Sequence, residues 1–383
     1  MQYNRYLDYD CVCASVSSFE KEGGVSEFHI MIQVTNQMLS FDQQVDKLLT
    51  AYFSLRQDKF NDAKPVLERY FLSDSAIQQP LLKERLSDSH PDRSVSIIEQ
   101  APLNGTKIAL WAYLQTGVTC SHSVDNLYKV SHGTYTHLWT SSNTNRGGSP
   151  KKQTKQLLLD YSESLNELQC SLSENCIRTW LFVKNIDDNY KGMVVGRNDV
   201  FATHSLSSDT HFIASTGIGG RTADGDACVM MDAYAVKGLK EGQMGYLYAR
   251  SNFNSTTEYG VSFERGTYVD YGDRRHVFIS GTASINNKGQ IMYPADVRMQ
   301  ANRMIENVEK LLDEACCNWD NVAQIIVYLR DPADYMVVNE LFADRFPTKP
   351  WVIVLAPVCR PGWLVEMECT AVREQHNTSF EAF

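Results

Sequence analysis

Three segments decide the fold: HVFISGTASI at 276–285, VAQIIVYLR at 322–330 and LVEMECTAV at 364–372. Each is a short apolar run, and amphipathic stretches separate them. After Asp296, which stands where an N-cap belongs, Val297, Ala301, Met304, Val308, Leu311 and Ala315 recur at steps of four and three and build one apolar stripe. Asn318 ends that pattern, and Val322–Tyr328 follows as a buried strand. Asp331-Pro332 breaks the strand; Ala333–Phe346 returns to helical spacing, with Val338, Leu341 and Phe342 inward, until Pro347 and Pro350 stop it. Strand, helix, strand, helix and two closing strands predict an α/β (α+β) layer with helices on one face of a mixed sheet. The last strand carries Glu366 and Glu368, two acids on one face of an otherwise apolar segment. A carboxylate at the edge of a core is costly unless something satisfies or uses it, so function is expected on that face.

The closing pattern occurs twice more upstream. Ser94–Leu114 reads as strand, Pro-Leu-Asn-Gly turn and strand; His211–Val236 reads as strand (His211–Thr216), glycine-rich turn (Gly217–Gly225) and strand (Ala227–Val236). Helical segments precede each: Leu39–Phe53 and Pro65–Phe71 before the first, Lys152–Leu168 and Tyr190–Phe201, with the strand Cys176–Lys184 between them, before the second. Leu157, Tyr161, Leu165 and Leu168 repeat the stripe of 297–315. The recurring order predicts an internal threefold repeat, with modules at 1–125, 126–245 and 246–383, the first degenerate. Matching Val372 to Val236 and Leu114 sets Glu366 opposite Met230 and Ile108, and Glu368 opposite Asp232 and Leu110. The Glu366 carboxylate is then unique to the third copy, which predicts one active site instead of three.

Composition bounds the function. A chain of 383 residues is long for one core, and a net charge of −10 argues against a general nucleic-acid binder, which needs a basic footprint. An anionic small-molecule substrate would require a local cluster of arginines. No apolar run approaches ~18 residues, so no membrane span is expected, and Met1–Asp10 lacks the basic and apolar regions of a secretory leader. Ten cysteines scattered without CxxC spacing fit a reduced, cytoplasmic location. There is no HExxH, Walker loop or GxGxxG at a strand–helix junction. His204 and His211 lack an acidic or cysteine partner nearby, so neither metal nor cofactor is expected.

Two family resemblances follow from these residues. His276–Val372 resembles the RidA/YjgF family through Ile279-Ser280-Gly281-Thr282-Ala283-Ser284, Tyr328-Leu329-Arg330-Asp331, Asn339-Glu340, Phe346-Pro347 and Val365-Glu366-Met367-Glu368. That resemblance implies a chorismate-mutase-like fold, homotrimers, and hydrolysis of reactive imines in clefts between subunits. The family's carboxylate-binding arginine aligns near Lys349-Pro350-Trp351, where no arginine stands. Arg178-Thr179-Trp180, Asn185-Ile186-Asp187, Tyr190 with Arg197 and Phe201, Ala214–Gly219, Tyr259-Gly260 through Phe263 and Arg265, and Cys359-Arg360-Pro361 through Glu366 resemble the chorismatase family. The family resemblance implies a monomeric pseudo-trimer of RidA-like modules that removes the enolpyruvyl group of chorismate as pyruvate. This chain departs from it at Ala214-Ser215 and Leu181-Phe182.

Cleaving an enol ether needs a proton delivered to its methylene carbon, a task for a carboxylic acid with raised pKa in a partly apolar pocket. Glu366 is the expected general acid, from its uniqueness among the copies and its match to the catalytic glutamate of chorismatases; the alternative is a strand glutamate satisfied by an arginine. Glu368 is expected to pair with a cation. A cysteine at the position of Cys359 resembles the hydroxybenzoate-forming chorismatases, although small buried cysteines are common in cores. Arg178, Arg197 and Arg265, inside the motif matches, are the expected carboxylate ligands, while Arg360 is expected to point away. Thr216 and Gly217 offer backbone N–H groups to a substrate oxygen, and Tyr259 or Tyr190 a hydroxyl. The alternative functions are a RidA-like enamine/imine deaminase and a non-catalytic binder of small carboxylates.

Overall fold

The computed structural model describes residues 1–87, 93–122 and 127–383, with the side chains of Asp8, Ser87 and Tyr259 outside that description. Its strands form three six-stranded sheets built to one plan. The first holds Gln2–Tyr9 (β1), Val12–Phe19 (β2), Glu27–Val34 (β3), Lys64–Leu72 (β4), Ser94–Glu99 (β5) and Ile108–Gln115 (β6). The second holds Thr119–His122 (β7), Tyr128–His132 (β8), Tyr135–Thr144 (β9), Cys176–Val183 (β10), Ala214–Gly219 (β11) and Val229–Lys237 (β12). The third holds Met244–Leu247 (β13), Gly266–Asp270 (β14), Arg274–Ala283 (β15), Val322–Leu329 (β16), Trp351–Leu355 (β17) and Val365–Glu374 (β18). In each the spatial order is first, second, third, sixth, fourth, fifth. The fourth and fifth strands run parallel and every other pair antiparallel.

The helices are Phe41–Lys59 (α1), Ser75–Ser87 (α2), Pro150–Glu167 (α3), Leu172–Asn175 (α4), Ile186–Phe201 (α5), Val297–Glu314 (α6) and Tyr335–Arg345 (α7). Asp296 caps α6 as its position predicts, its side chain accepting from the Met299 N–H. One face of each sheet meets helices. Leu48 and Tyr52 of α1 pack on Ile30 and Leu110, and Leu157 and Tyr161 of α3 pack on Ala233. The opposite faces meet one another: Trp111, Trp180, Tyr234 and Phe278, drawn from all three sheets, share a central core. The protein is thus an α+β pseudo-trimer of RidA-like modules.

Pro65–Phe71 is a strand, not the expected helix. Tyr70 and Leu72 of β4 pack toward α1 while Leu67 and Phe71 face the central core. A segment buried on both faces has no polar side to give a helix, and two-sided burial is what a sandwiched strand needs. The three repeats also correct the first-copy register. Each fourth strand has an irregularity at its start, between Pro65 and Leu67, Cys176 and Arg178, and Val322 and Gln324. Counting from there, Ile326 pairs with Glu368, Trp180 with Asp232 and Arg69 with Trp111. Glu368 therefore matches Asp232 and Trp111, and Glu366 matches Met230 and Ala109. Leu110 and Ile108 lie one residue off, on the helix-facing side of β6, because a one-residue slip in a strand exchanges its faces. Glu366 remains the one carboxylate among its three equivalents.

Candidate active site

Glu366 sits on β18 between Ala283 of β15 and Tyr328 of β16. The β15–β18 register shifts between Ile279 and Thr282, a bulge of the kind that re-aims local groups. Ser280 and Gly281 form it. The Ser280 hydroxyl donates to the Glu264 carbonyl at 2.6 Å and accepts from the Ser215 N–H at 3.0 Å. Gly281 donates its N–H to Thr216 Oγ1 at 2.9 Å. A Cβ at Gly281 would collide with Glu366 Oε1, so the glycine leaves the seat the carboxylate occupies.

Around this seat residues of the second and third repeats line a pocket. From the second repeat, α5 contributes Tyr190 and Arg197, seven residues apart and so on one helical face. Alternate positions of β11 contribute Ser215 and Gly217. A Cβ on Gly217 would stand 2.9 Å from Met193 Cε and 3.3 Å from Tyr190, so here too a bare backbone keeps the space open. The third repeat supplies Phe263, Arg265, Cys359, Arg360, Trp363 and Glu366. The Arg265 guanidinium lies between the rings of Phe253 and Phe263, at 4.6 and 5.1 Å, and Arg360 lies 5.0 Å from the ring of Trp363. Arg197, 2 % exposed, is held near Phe201.

Burial, followed by the charge of Glu368, pushes the Glu366 carboxyl up to about 8, against the opposing pull of Arg265 and Arg178. Among the described residues no hydrogen bond or ion pair reaches it. Burial and the nearby Glu366 push the Cys359 thiol up to about 12, so it stands in the wall as a neutral S–H. Burial likewise keeps the Tyr190 phenol neutral. The site therefore combines a protonated carboxylic acid with three guanidinium groups in a pocket that also holds Tyr190, Phe263 and Trp363. Among the described residues no cluster of three His, Cys, Asp or Glu side chains is placed to hold a metal.

The structure brings together Glu366, Cys359, Arg197, Arg265 and Gly217, and adds Arg360, which faces the pocket instead of pointing away. Arg178 and Thr216 lie outside the lining. Arg178 pairs with Glu368 at 2.8 Å, and the Thr216 hydroxyl donates to the same carboxylate. Both belong to a buried network between repeats, which satisfies Glu368 as expected. Tyr259 ends a single turn two residues before the pocket-lining Val261, but its side chain lies outside the described residues. Lys349, where the RidA resemblance would place an arginine, sits over the Tyr3 ring at 3.9 Å, between the third and first repeats. Sequence reasoning missed Ser215 and Trp363 as lining residues. The period-2 step from Gly217 points to Ser215; nothing local distinguishes Trp363.

Hydrogen bonds also bridge the other two junctions between repeats. Ile97 donates to Ser142 Oγ, whose hydroxyl donates to the Val95 carbonyl. Leu103 donates to the Ile353 carbonyl, and Leu355 to that of Ala101.

Comparison with known proteins agrees with this architecture. The endoribonuclease L-PSP family model matches residues 263–373. A RutC family protein of Pyrococcus abyssi is 30% identical over 100 residues, covering 26% of this chain and 79% of that protein. Another, of Synechocystis sp., is 34% identical over 85 residues, covering 21% of this chain and 65% of that protein. Among solved structures, a chorismatase superposes with a TM-score of 0.63 at 16% identity, covering 80% of this chain and 92% of that one, a likeness of fold. Through its third repeat, the one that carries Glu366, the chain belongs to the RutC family.

Proposed function

We propose that this protein is an enzyme that removes the enolpyruvyl group of chorismate, or of a close analogue, as pyruvate. The observation that carries the reading is a carboxylic acid kept protonated near neutral pH beside Arg197, Arg265 and Arg360 in one enclosed pocket. Chorismate carries two carboxylates and an enol ether. Two of the guanidinium groups bind the carboxylates bidentately, and Glu366 gives its proton to the methylene carbon. The oxocarbenium that forms is trapped by water or a neighbouring hydroxyl, and its collapse releases pyruvate. The Glu366 carboxylate left behind regains its proton from the trapping oxygen. With Cys359 in the wall, the ring product is a hydroxybenzoate: the diene-diol equivalent loses water, so chorismate is converted to pyruvate and hydroxybenzoate with no net water consumed.

The likeness of fold to a chorismatase supports this reading, as does the absence of an arginine at Lys349, which disfavours imine hydrolysis. The ten free cysteines support a reducing cytoplasmic location. Three modules, at 1–125, 126–245 and 246–383, already complete the ring of repeats, which supports a monomer. The test is incubation of purified protein with chorismate, following pyruvate release and aromatic absorbance. Glu366→Gln is expected to lower kcat by roughly 10²–10⁴-fold. Turnover of 2-aminoacrylate with none of chorismate would replace this reading with the deaminase; binding of chorismate without turnover by the intact protein would replace it with a carboxylate-binding role.

A further inference from the structure

Glu368 does not line the pocket, yet one of its contacts leads to Glu366. The two lie on one face of β18, roughly 6–7 Å apart along the strand. Glu368 is 1 % exposed. Its Oε2 accepts from Arg178 Nη2 at 2.8 Å and from Thr216 Oγ1 at 2.5 Å; its Oε1 accepts from Trp180 Nε1 at 2.7 Å. Those three residues belong to the second repeat. From the first repeat, Arg69 Nη1 stands 3.9 Å from Oε1 while its Nη2 pairs with Asp232 at 2.9 Å.

Thr216 links this network to the pocket. Its single hydroxyl proton goes to Glu368, leaving its lone pairs for the Gly281 N–H and for Arg178 Nη2. Gly281 is the residue whose missing side chain provides the seat of Glu366. The contacts run without a gap from Glu368 through Thr216 and the Gly281 bulge to Glu366.

We propose that Glu368 and Thr216 are positioning residues: Glu368 fixes Thr216, Thr216 fixes the Gly281 bulge, and the bulge and the neighbouring negative charge hold the Glu366 carboxyl ready to donate its proton. The proposal rests on the proton-donor role given to Glu366 above. The charged groups facing Glu366 are Glu368, Arg178, Arg265, Arg197 and Arg360; Tyr190, Tyr328 and Cys359 face it uncharged. Of these, Glu368 is the one whose charge favours the acid form, and it acts after burial as the second cause. Arg178 and Arg265 act against it.

The test reads Glu366 directly, without substrate. Its carboxyl C=O stretch is followed by infrared difference spectroscopy across pH and assigned by its loss in Glu366→Gln. The wild type is expected to titrate at about 8, and Glu368→Gln lower by roughly one to two pH units. Because that variant leaves Arg178 buried without its counter-charge, the double substitution Arg178→Gln/Glu368→Gln provides a second variant with neither charge. Its midpoint is expected to fall by a smaller amount, since the repulsion from Glu368 outweighs the pull of Arg178. Thr216→Val keeps both charges and removes the bridge: kcat is expected to drop about tenfold with KM little changed, and Thr216→Ser to restore it. An unchanged or raised midpoint in the folded Glu368 variants, or full kcat in Thr216→Val, would overturn the proposal. If the wild type fails to turn over chorismate, the proposed reaction falls, while the titration still decides the role of Glu368.

Discussion

Holding a carboxylic acid in its neutral form above its usual range costs the folded state free energy, and Glu366 makes that cost measurable. A free glutamate ionises near about 4.3, whereas burial and Glu368 put Glu366 at about 8. Below pH ~4 the group is protonated in both folded and unfolded chains, and its folded environment carries no penalty. As pH rises from there to about 8, the unfolded chain ionises and the folded one does not, so stability falls; above that the penalty is constant. Its size is on the order of 3–5 kcal/mol. Glu366→Gln cannot ionise and escapes it. Thermal unfolding across pH is therefore expected to give equal Tm values for the two proteins near pH 4 and a higher Tm for the variant at pH 8–9. Parallel curves would mean that Glu366 is not held neutral. Gain of stability with loss of activity is the behaviour expected of a residue strained for function.

At the scale of elements, the bulge in β15 is what turns an ordinary strand face into a site. Gly281→Ala would put a methyl group where Glu366 Oε1 lies. The side chain can swing into the cavity, so the fold should survive with a Tm lowered by a few degrees, while kcat falls at least roughly tenfold through misplacement of the acid. Wild-type kcat in Gly281→Ala would show that the seat does not matter. The elements also separate what could be read from sequence from what could not. The third repeat was legible because its first helix, α6, is amphipathic and its Asp296 cap and prolines mark boundaries. Pro65–Phe71 was not, because burial on both faces removes the alternation that marks a strand. The same loss of alternation in Ile108–Gln115, buried along its whole length, hid the register of β6. Glu366, Cys359, Arg197 and Arg265 were recognisable from their motifs, but motifs do not say which way a side chain faces. Hence Arg178, on an interior strand, went to Glu368, and Arg360, on a loop, went to the pocket.

Across the whole molecule, the three sheets meet along an axis that is polar at one layer. Glu27, His137 and His276 pair with Gln115, Val236 and Val372, equivalent positions of the sixth strands. His276 Nε2 lies 2.9 Å from Glu27, which also accepts from Arg274 and from the Tyr113 hydroxyl. Burial alone would raise the Glu27 carboxyl, but His276 and Arg274 outweigh it and hold it well below its ordinary range. Burial lowers His29 to about 3 and His132 to about 4, and puts His137 well below its ordinary value. These imidazoles are neutral in the fold and charge readily once it opens. Their contribution is fully present above about pH 6.5 and is lost as pH falls toward about 4. Glu366 acts with the opposite sign, costing stability as pH rises from ~4 to 8. Between about pH 4 and 8 the two effects oppose each other, so the contribution of these groups to stability is greatest on the weakly acidic side of neutrality. His132→Gln can still hydrogen-bond to His137, which His132 contacts at 2.7 Å, but cannot take up a proton. Denaturant unfolding between pH 7 and 4 is expected to show a shallower loss of stability in His132→Gln, by about 3 kcal/mol at pH 4, with an unchanged alkaline limb. An acid limb as steep as that of the wild type would remove His132 from this account, whereas a change confined to the alkaline limb would couple the axis to the pocket instead.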